Sequence, residues 1–280
     1  MVKDKKRVGY IVSSIPTLYL VTFFLIPLVI LLSISVSHRV PGAFYEPGFT
    51  MAHYARFISG FFGSILLNSI LLSALASAAA ILIMFPFTWI LTRLSRFIQI
   101  LILICILAVL SLSEVIVGFA WSTLLSKSAG ISNLFVWLGI VENASSWTPS
   151  FTAVLSGLIY VTLPYCFLVL FPVLSRIDPE FNEAAQTLGA SPLKAFFTII
   201  IPISRNAILA SYIMGFVFTL GSFLIPNLLG RPQHWTLTVH ITDQTIYQAN
   251  MPFGSAMAMF LLFTAITLVW FSQSLLGKKE

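Results

Sequence analysis

Hydrophobic positions in this chain are gathered into long runs, and polar positions into short gaps between them. Six apolar stretches stand near residues 9–36, 65–92, 98–124, 151–175, 206–229 and 252–276, each almost free of charge. About 20 apolar residues carry a helix across a bilayer, so each run predicts one transmembrane helix. The longest gaps hold only some 20 to 30 residues, leaving no room for an appended soluble domain; residues 1–280 read as a single membrane domain, all α. Pro27, Pro86 and Pro164 fall inside runs. In a bundle, neighbouring helices and hydroxyl side chains can satisfy the carbonyls that proline frees, so these positions argue for kinks and not for helix ends.

Composition sharpens this picture. With 58% hydrophobic and 9% charged residues and a mean hydropathy of +0.98, the chain requires lipid around it. A basic segment, Lys3 to Arg7, precedes the first run, which is about twice the length of a signal-peptide core and has no clear cleavage site; it reads as an uncleaved first helix. With the N-terminus inside, the cytoplasmic side collects Lys3, Lys5, Lys6, Arg7, Arg93, Arg96, Arg176, Lys194, Arg205, Lys278 and Lys279, against Arg39, Arg56, Lys127 and Arg231 outside. That bias places both termini and the gap at 176–205 in the cytoplasm, with 37–64, 125–150 and 230–251 outside. The net charge of +6 is then the ordinary topogenic pattern and gives no reason to invoke nucleic acid. Cys105 and Cys166 both fall within runs, where a thiol acts as a small hydrophobe.

Smaller features fit a bundle. Ser73 to Ala80 is a run of small residues that permits close helix contact in lipid, and Trp89, Trp121 and Trp270 sit where a ring would anchor a helix at headgroup level. Leu134-Phe135-Val136-Trp137, in an outer gap, has the make-up of a short interfacial helix. Chemistry of its own is not indicated. There is no Gly-rich phosphate loop ending in Lys-Ser or Lys-Thr, no Gly-x-Ser-x-Gly elbow, and only a loose His234, His240 and Asp243 grouping that is weak evidence for a metal. Glu114 is the one acid well inside an apolar run. Ionised carboxylate in hydrocarbon costs at least about 2.5–3.5 kcal/mol for a charge at the helix centre, so it should face water, the bundle interior or a partner. It is a candidate pathway residue, as are Tyr165, Ser222 and Asn227.

The gap at 176–205 carries the most specific pattern. Asp178 before Pro179 is a helix N-cap followed by a first-turn proline, Gly189 suits a left-handed stop, and Ser191-Pro192 repeats the start signal. Between them Phe181, Ala184, Ala185 and Leu188 fall at i, i+3, i+4 and i+7, a narrow and shallow apolar stripe of the kind that lies in a groove of another protein.

Glu183-Ala184-Ala185, three residues, Gly189, nine residues, then Ile199-Ile200-Ile201-Pro202 resembles the EAA loop of binding-protein-dependent ABC importer permeases; Ile201 stands where the pattern has leucine. Two later elements are similar to the polyamine-type branch of that family: Gly221 to Gly230, and Asn250 to Ala256. Ser222 and Met251 depart from the acid and the tryptophan usual there, and losing an acid weakens the case for a dication. The resemblance implies the type I importer fold with six transmembrane helices, in a bacterial inner membrane. It implies coupling to an ATPase through Asp178, Glu183, Ala184, Ala185, Leu188, Gly189, Ile199 and Pro202. It also implies partners: a dimer of ATP-binding subunits holding ATP and Mg, a second permease subunit, expected to be a paralogue, and a periplasmic or lipoprotein solute-binding protein. The cargo would be a small organic solute, a polyamine, opine or amino-acid-like compound. An ion-coupled secondary transporter is the alternative, and it would need no ATPase.

Overall fold

A computed structural model of the protein describes residues 2–58, 60–178, 180–187 and 189–276, with the side chains of 2–13, 15, 182–184, 275 and 276 left aside. Pro179 and Leu188, two of the positions singled out above, lie outside the described residues. In chain order the helices are α1 (Val2–Ser35), α2 (Ala52–Ile58), α3 (Gly60–Leu91), α4 (Arg96–Ser111), α5 (Glu114–Leu124), α6 (Ile131–Trp137) and α7 (Phe151–Leu174). They continue with α8 (Glu180–Thr187), α9 (Pro192–Ala195), α10 (Ile201–Ile203), α11 (Arg205–Leu220), α12 (Leu224–Leu229), α13 (Leu237–Thr242) and α14 (Met251–Leu276). Wider π turns at Phe196–Ile200 and Asp243–Tyr247 fill two of the intervals. No β-strand forms among the described residues.

Four of these helices are long and apolar enough to cross a membrane, and two bent pairs bring the number to six. The bends correct two expectations. The run at 98–124 is not one helix: α4 and α5 meet at 97°. Ser113 is extended there, and its hydroxyl accepts the Val115 N–H, so a helix start is written into the middle of the apolar run. The run at 206–229 also divides. It stops at Leu220, and α12 is a separate short helix, whereas the helical segment Pro192–Ile203 bends by 71° into α11. Pro27, Pro86 and Pro164 all lie inside helices that continue past them.

The chain divides into two compact units, each assembled from separated stretches of sequence. One comprises residues 1–63 and 240–263. Its interior is aromatic: Phe57 stacks on Phe260 at 4.1 Å, Phe62 meets Phe253 edge-on at 4.9 Å, and the Arg56 guanidinium lies 4.4 Å from the Phe253 ring centre. The other unit, 64–239 with 264–280, is organised around α7, against which α4, α5, α11 and α12 pack. Its core has two parts, one around Phe167, Leu170 and Leu174, the other around Leu72, Leu158, Ile225 and Leu229. Gly157 is what lets α12 reach α7, because a Cβ there would sit 2.8 Å from both Ile225 and Leu229 side chains. Along α3, Ser69, Ser73, Ala76, Ser77 and Ala80 are all fully buried, so the small-residue run does face other helices.

Candidate solute pathway and coupling elbow

The two helix breaks meet at Glu114. As the first residue of α5 it places a carboxylate at a helix N-terminus, where free N–H groups favour negative charge. Ser222 occupies the break between α11 and α12, is 5% exposed, and donates its Oγ hydrogen to Glu114 Oε1 at 2.8 Å. The break itself is held from a third segment. Thr236 Oγ1 donates to the Ser222 carbonyl at 3.2 Å and Thr238 Oγ1 to the Leu220 carbonyl at 3.0 Å, which gives partners to carbonyls that the ending helix leaves open.

A cavity of about 190 Å³ opens beside this pair, lined by Glu114, Tyr160, Pro164, Tyr165 and Phe218 among others. Tyr165 and Phe218 stack at 4.3 Å between centroids. A second cavity of about 290 Å³ shares Leu112, Val117 and Tyr160 with it and extends to Trp121. The Trp121 ring lies 5.8 Å from that of Tyr160. Of the pathway residues picked from sequence, Glu114, Tyr165 and Ser222 come together, and Asn227 lies outside the cavity lining. Tyr160 and Phe218 were missed. On α7, Tyr160 and Pro164 stand at i, i+4, as do Val161 and Tyr165, and all four line the cavity. One carboxylate among aromatic faces, with no basic side chain in the lining, is an environment suited to an organic cation.

The elbow at 176–205 is capped at both ends of α8 and at the start of α9. Asp178 Oδ1 accepts the Glu180 N–H at 3.0 Å, capping α8. At the other end Gly189 has φ +86°, and the Ala190 N–H reaches the Ala185 carbonyl at 3.0 Å while the Gly189 N–H reaches Gln186 at 2.9 Å, the paired bonds of a Schellman stop. Ser191 then accepts the Lys194 N–H to start α9. Ala185 is buried and Ile199 packs on the core around Phe167 and Leu170, so these two signature positions are turned into the chain's own fold; Pro202 is exposed. Glu183 and Ala184 lie within α8. What projects is Phe181, Leu193 and Phe197, an exposed apolar patch of which only Phe181 had been marked. Arg93 stands in the sequence only as a topogenic charge. Its guanidinium stacks 3.9 Å from the Trp89 ring centre and donates to the Ile177 carbonyl at 3.4 Å, beside the Asp178 carboxylate. Burial lowers the Arg93 pKa and Asp178 opposes that, so the side chain stays charged and pins the foot of the elbow to the end of α3.

Membrane-length helices, broken beside a mostly apolar cavity that holds one carboxylate, with a capped helical elbow between two spans, have the make-up of a membrane transport permease. The chain belongs to the family described as binding-protein-dependent transport system inner membrane component, whose profile matches residues 84–279. It is an inner-membrane protein that crosses the bilayer several times and serves as the permease of a binding-protein-dependent ABC importer. It is 27% identical over 266 residues to the spermidine/putrescine transport system permease protein PotB of Escherichia coli (strain K12), covering 93% of this chain and 96% of that one. With the molybdenum transport system permease protein ModB of Haemophilus influenzae it shares 32% identity over 163 residues, 56% of this chain and 69% of that one. The fold matches a crystal structure of a bacterial ABC transporter involved in the import of the acidic polysaccharide alginate, with a TM-score of 0.79 at 20% identity, over 98% of this chain and 96% of that chain.

Proposed function

We propose that this permease passes a small organic cation of polyamine type through the cavity at Glu114. Similar permeases carry cargo as unlike as spermidine or putrescine, molybdenum and an acidic polysaccharide. Overall likeness therefore does not choose the sign of the solute's charge, and the site must. The observation that carries the reading is the Glu114 carboxylate, held by Ser222 at the junction of two helix breaks and faced by Tyr160, Tyr165 and Phe218. A desolvated cation gains from the carboxylate and from the aromatic faces, and an anion gains from neither.

In this reading both termini and the elbow face the cytosol, as the distribution of Lys and Arg indicates. The elbow seats in a dimer of ATP-binding subunits, which hold ATP and Mg, with Phe181, Leu193 and Phe197 as the contact patch and Glu183 beside it. Closure of that dimer carries the elbow as a rigid handle, and the caps at Asp178, Gly189 and Ser191 keep it from deforming. A paralogous second permease completes the pair, and a solute-binding protein delivers cargo from outside. Polyamines lead the list of solutes, ahead of opines and amino acids. The test is reconstitution of the complete importer in liposomes, with uptake of labelled putrescine, spermidine, molybdate and an alginate oligosaccharide measured with and without ATP. ATP-dependent uptake of the amines alone supports the reading. Uptake of an anionic solute instead would overturn the cation assignment, and uptake without ATP would point to an ion-coupled carrier.

A further inference from the structure

The segment after α5 exposes more apolar surface than a water-facing loop has reason to show. Trp137 is 80% exposed, Ile140 66% and Leu138 53%, and Leu134 and Val141 nearby in the chain are exposed as well. Between Lys127 and Glu142 the chain has 14 consecutive uncharged residues. Lone exposed leucines are common, but contiguous patches of this kind mark a surface that something covers.

Where the patch sits says what covers it. The Trp147 N–H donates to the Leu125 carbonyl at 2.9 Å, one residue past the end of α5, and the Ser150 N–H donates to the Leu229 carbonyl at 3.0 Å, at the end of α12. Asn133 Nδ2 ties the start of α6 to the Lys127 carbonyl at 2.9 Å, and the Ile140 N–H folds the chain back onto Phe135 at 2.9 Å. Phe135 turns the other way, toward Trp147, with centroids 5.9 Å apart. The segment is thus tied at both ends, between the end of α5 and the start of α7, two of the helices apolar enough to belong to membrane spans. Its ends are therefore fixed beside the apolar helices that flank it in the chain.

We infer that α6 and the residues to Val141 form a membrane-interface anchor, with Trp137, Leu138 and Ile140 laid into the boundary between headgroups and acyl chains. A tryptophan flanked by aliphatic residues is suited to that depth, where its ring is in hydrocarbon and its N–H near water. The occupant is lipid, continuous with the lipid that covers the neighbouring spans. The anchor moors the outer end of α5, the helix whose other end carries Glu114.

The test uses the full chain with Cys105→Ala and Cys166→Ala, and a nitroxide label at Trp137→Cys or, separately, Ile140→Cys, in proteoliposomes. Leu107→Cys on α4 serves as a lipid reference and Asn143→Cys as an aqueous one. Collision with oxygen, which concentrates in the bilayer, is compared with collision with a water-soluble nickel chelate. The expected result is that 137 and 140 side with the lipid reference, and 143 shows the inverse ratio. Nickel-dominated collision at both positions would overturn the proposal. So would protection from both reagents, or a loss of oxygen collision only when the solute-binding protein is added, since either assigns the face to protein.

Discussion

Ser222 Oγ donates to Glu114 Oε1 across 2.8 Å, and in doing so ties the break between α4 and α5 to the break between α11 and α12. A hydrogen bond to a charged acceptor contributes about 1.5–3 kcal/mol, enough to hold the carboxylate in one orientation but weak enough for a cationic solute to displace. Glu114→Gln should therefore reduce the initial rate of uptake about tenfold or more at matched protein level, the equivalent of roughly 1.4 kcal/mol. Ser222→Ala should have a smaller effect and leave cation preference intact. Equal uptake by wild type and Glu114→Gln would make the pair a structural tie.

Gly189 has φ +86° at the corner of the elbow, a conformation that costs a residue with a Cβ about 1–2 kcal/mol, and more when it is β-branched. Among the described residues, apart from its chain neighbours, no atom lies within 4 Å of where a Cβ would be, so that penalty is conformational. Gly189→Val should insert in the membrane normally yet lower the amount of solute moved per ATP hydrolysed. Paired measurement of uptake and ATPase rate in one liposome preparation checks this. An unchanged ratio would remove the elbow from the coupling path.

Much of this was legible beforehand because the relevant signals are local. Membrane-length apolar runs, the Asp178 and Ser191 caps and the Gly189 stop each depend on a few adjacent residues. The break between α4 and α5 was not recognised, since Leu112-Ser113-Glu114 sits in an apolar stretch whose average hides one capping serine. The Glu114 and Ser222 contact spans 108 residues and nothing nearby in the chain announces it. Arg93 was read only as a topogenic charge; its stacking on Trp89 has an i, i+4 spacing that could have been noticed, but its reach to Ile177 depends on the fold.

His240 gives a pH-dependent contribution to stability. It lies outside the candidate membrane spans, and burial lowers its pKa below the ordinary 6.5 while Asp243 partly opposes the shift. The folded state thus binds its proton less readily than the unfolded state. Its contribution is complete above about pH 6.5, the ordinary imidazole value, and falls away as the pH drops toward the lowered folded value. The thermal midpoint of the detergent-purified protein should therefore decline on acidification through that window, and His240→Gln should flatten this part of the profile. A parallel decline in the variant would assign the acid sensitivity to other groups.

Arg93 joins the foot of the elbow to α3 through a planar stack on Trp89 and a hydrogen bond to the Ile177 carbonyl, next to the Asp178 carboxylate that caps α8. The guanidinium is largely exposed, so its loss should cost little global stability, on the order of 0.5–1 kcal/mol for an exposed cation–π contact. Its effect should be local. Arg93→Ala should speed hydrogen exchange of the backbone amides in 180–187 and lower solute moved per ATP, because a handle with a loose foot transmits less displacement. Arg93→Lys keeps the charge near Asp178 but not the planar stack, and should recover only part of both readouts. Unchanged exchange in 180–187 with a normal transport ratio would mean that the α8 cap holds the elbow without Arg93.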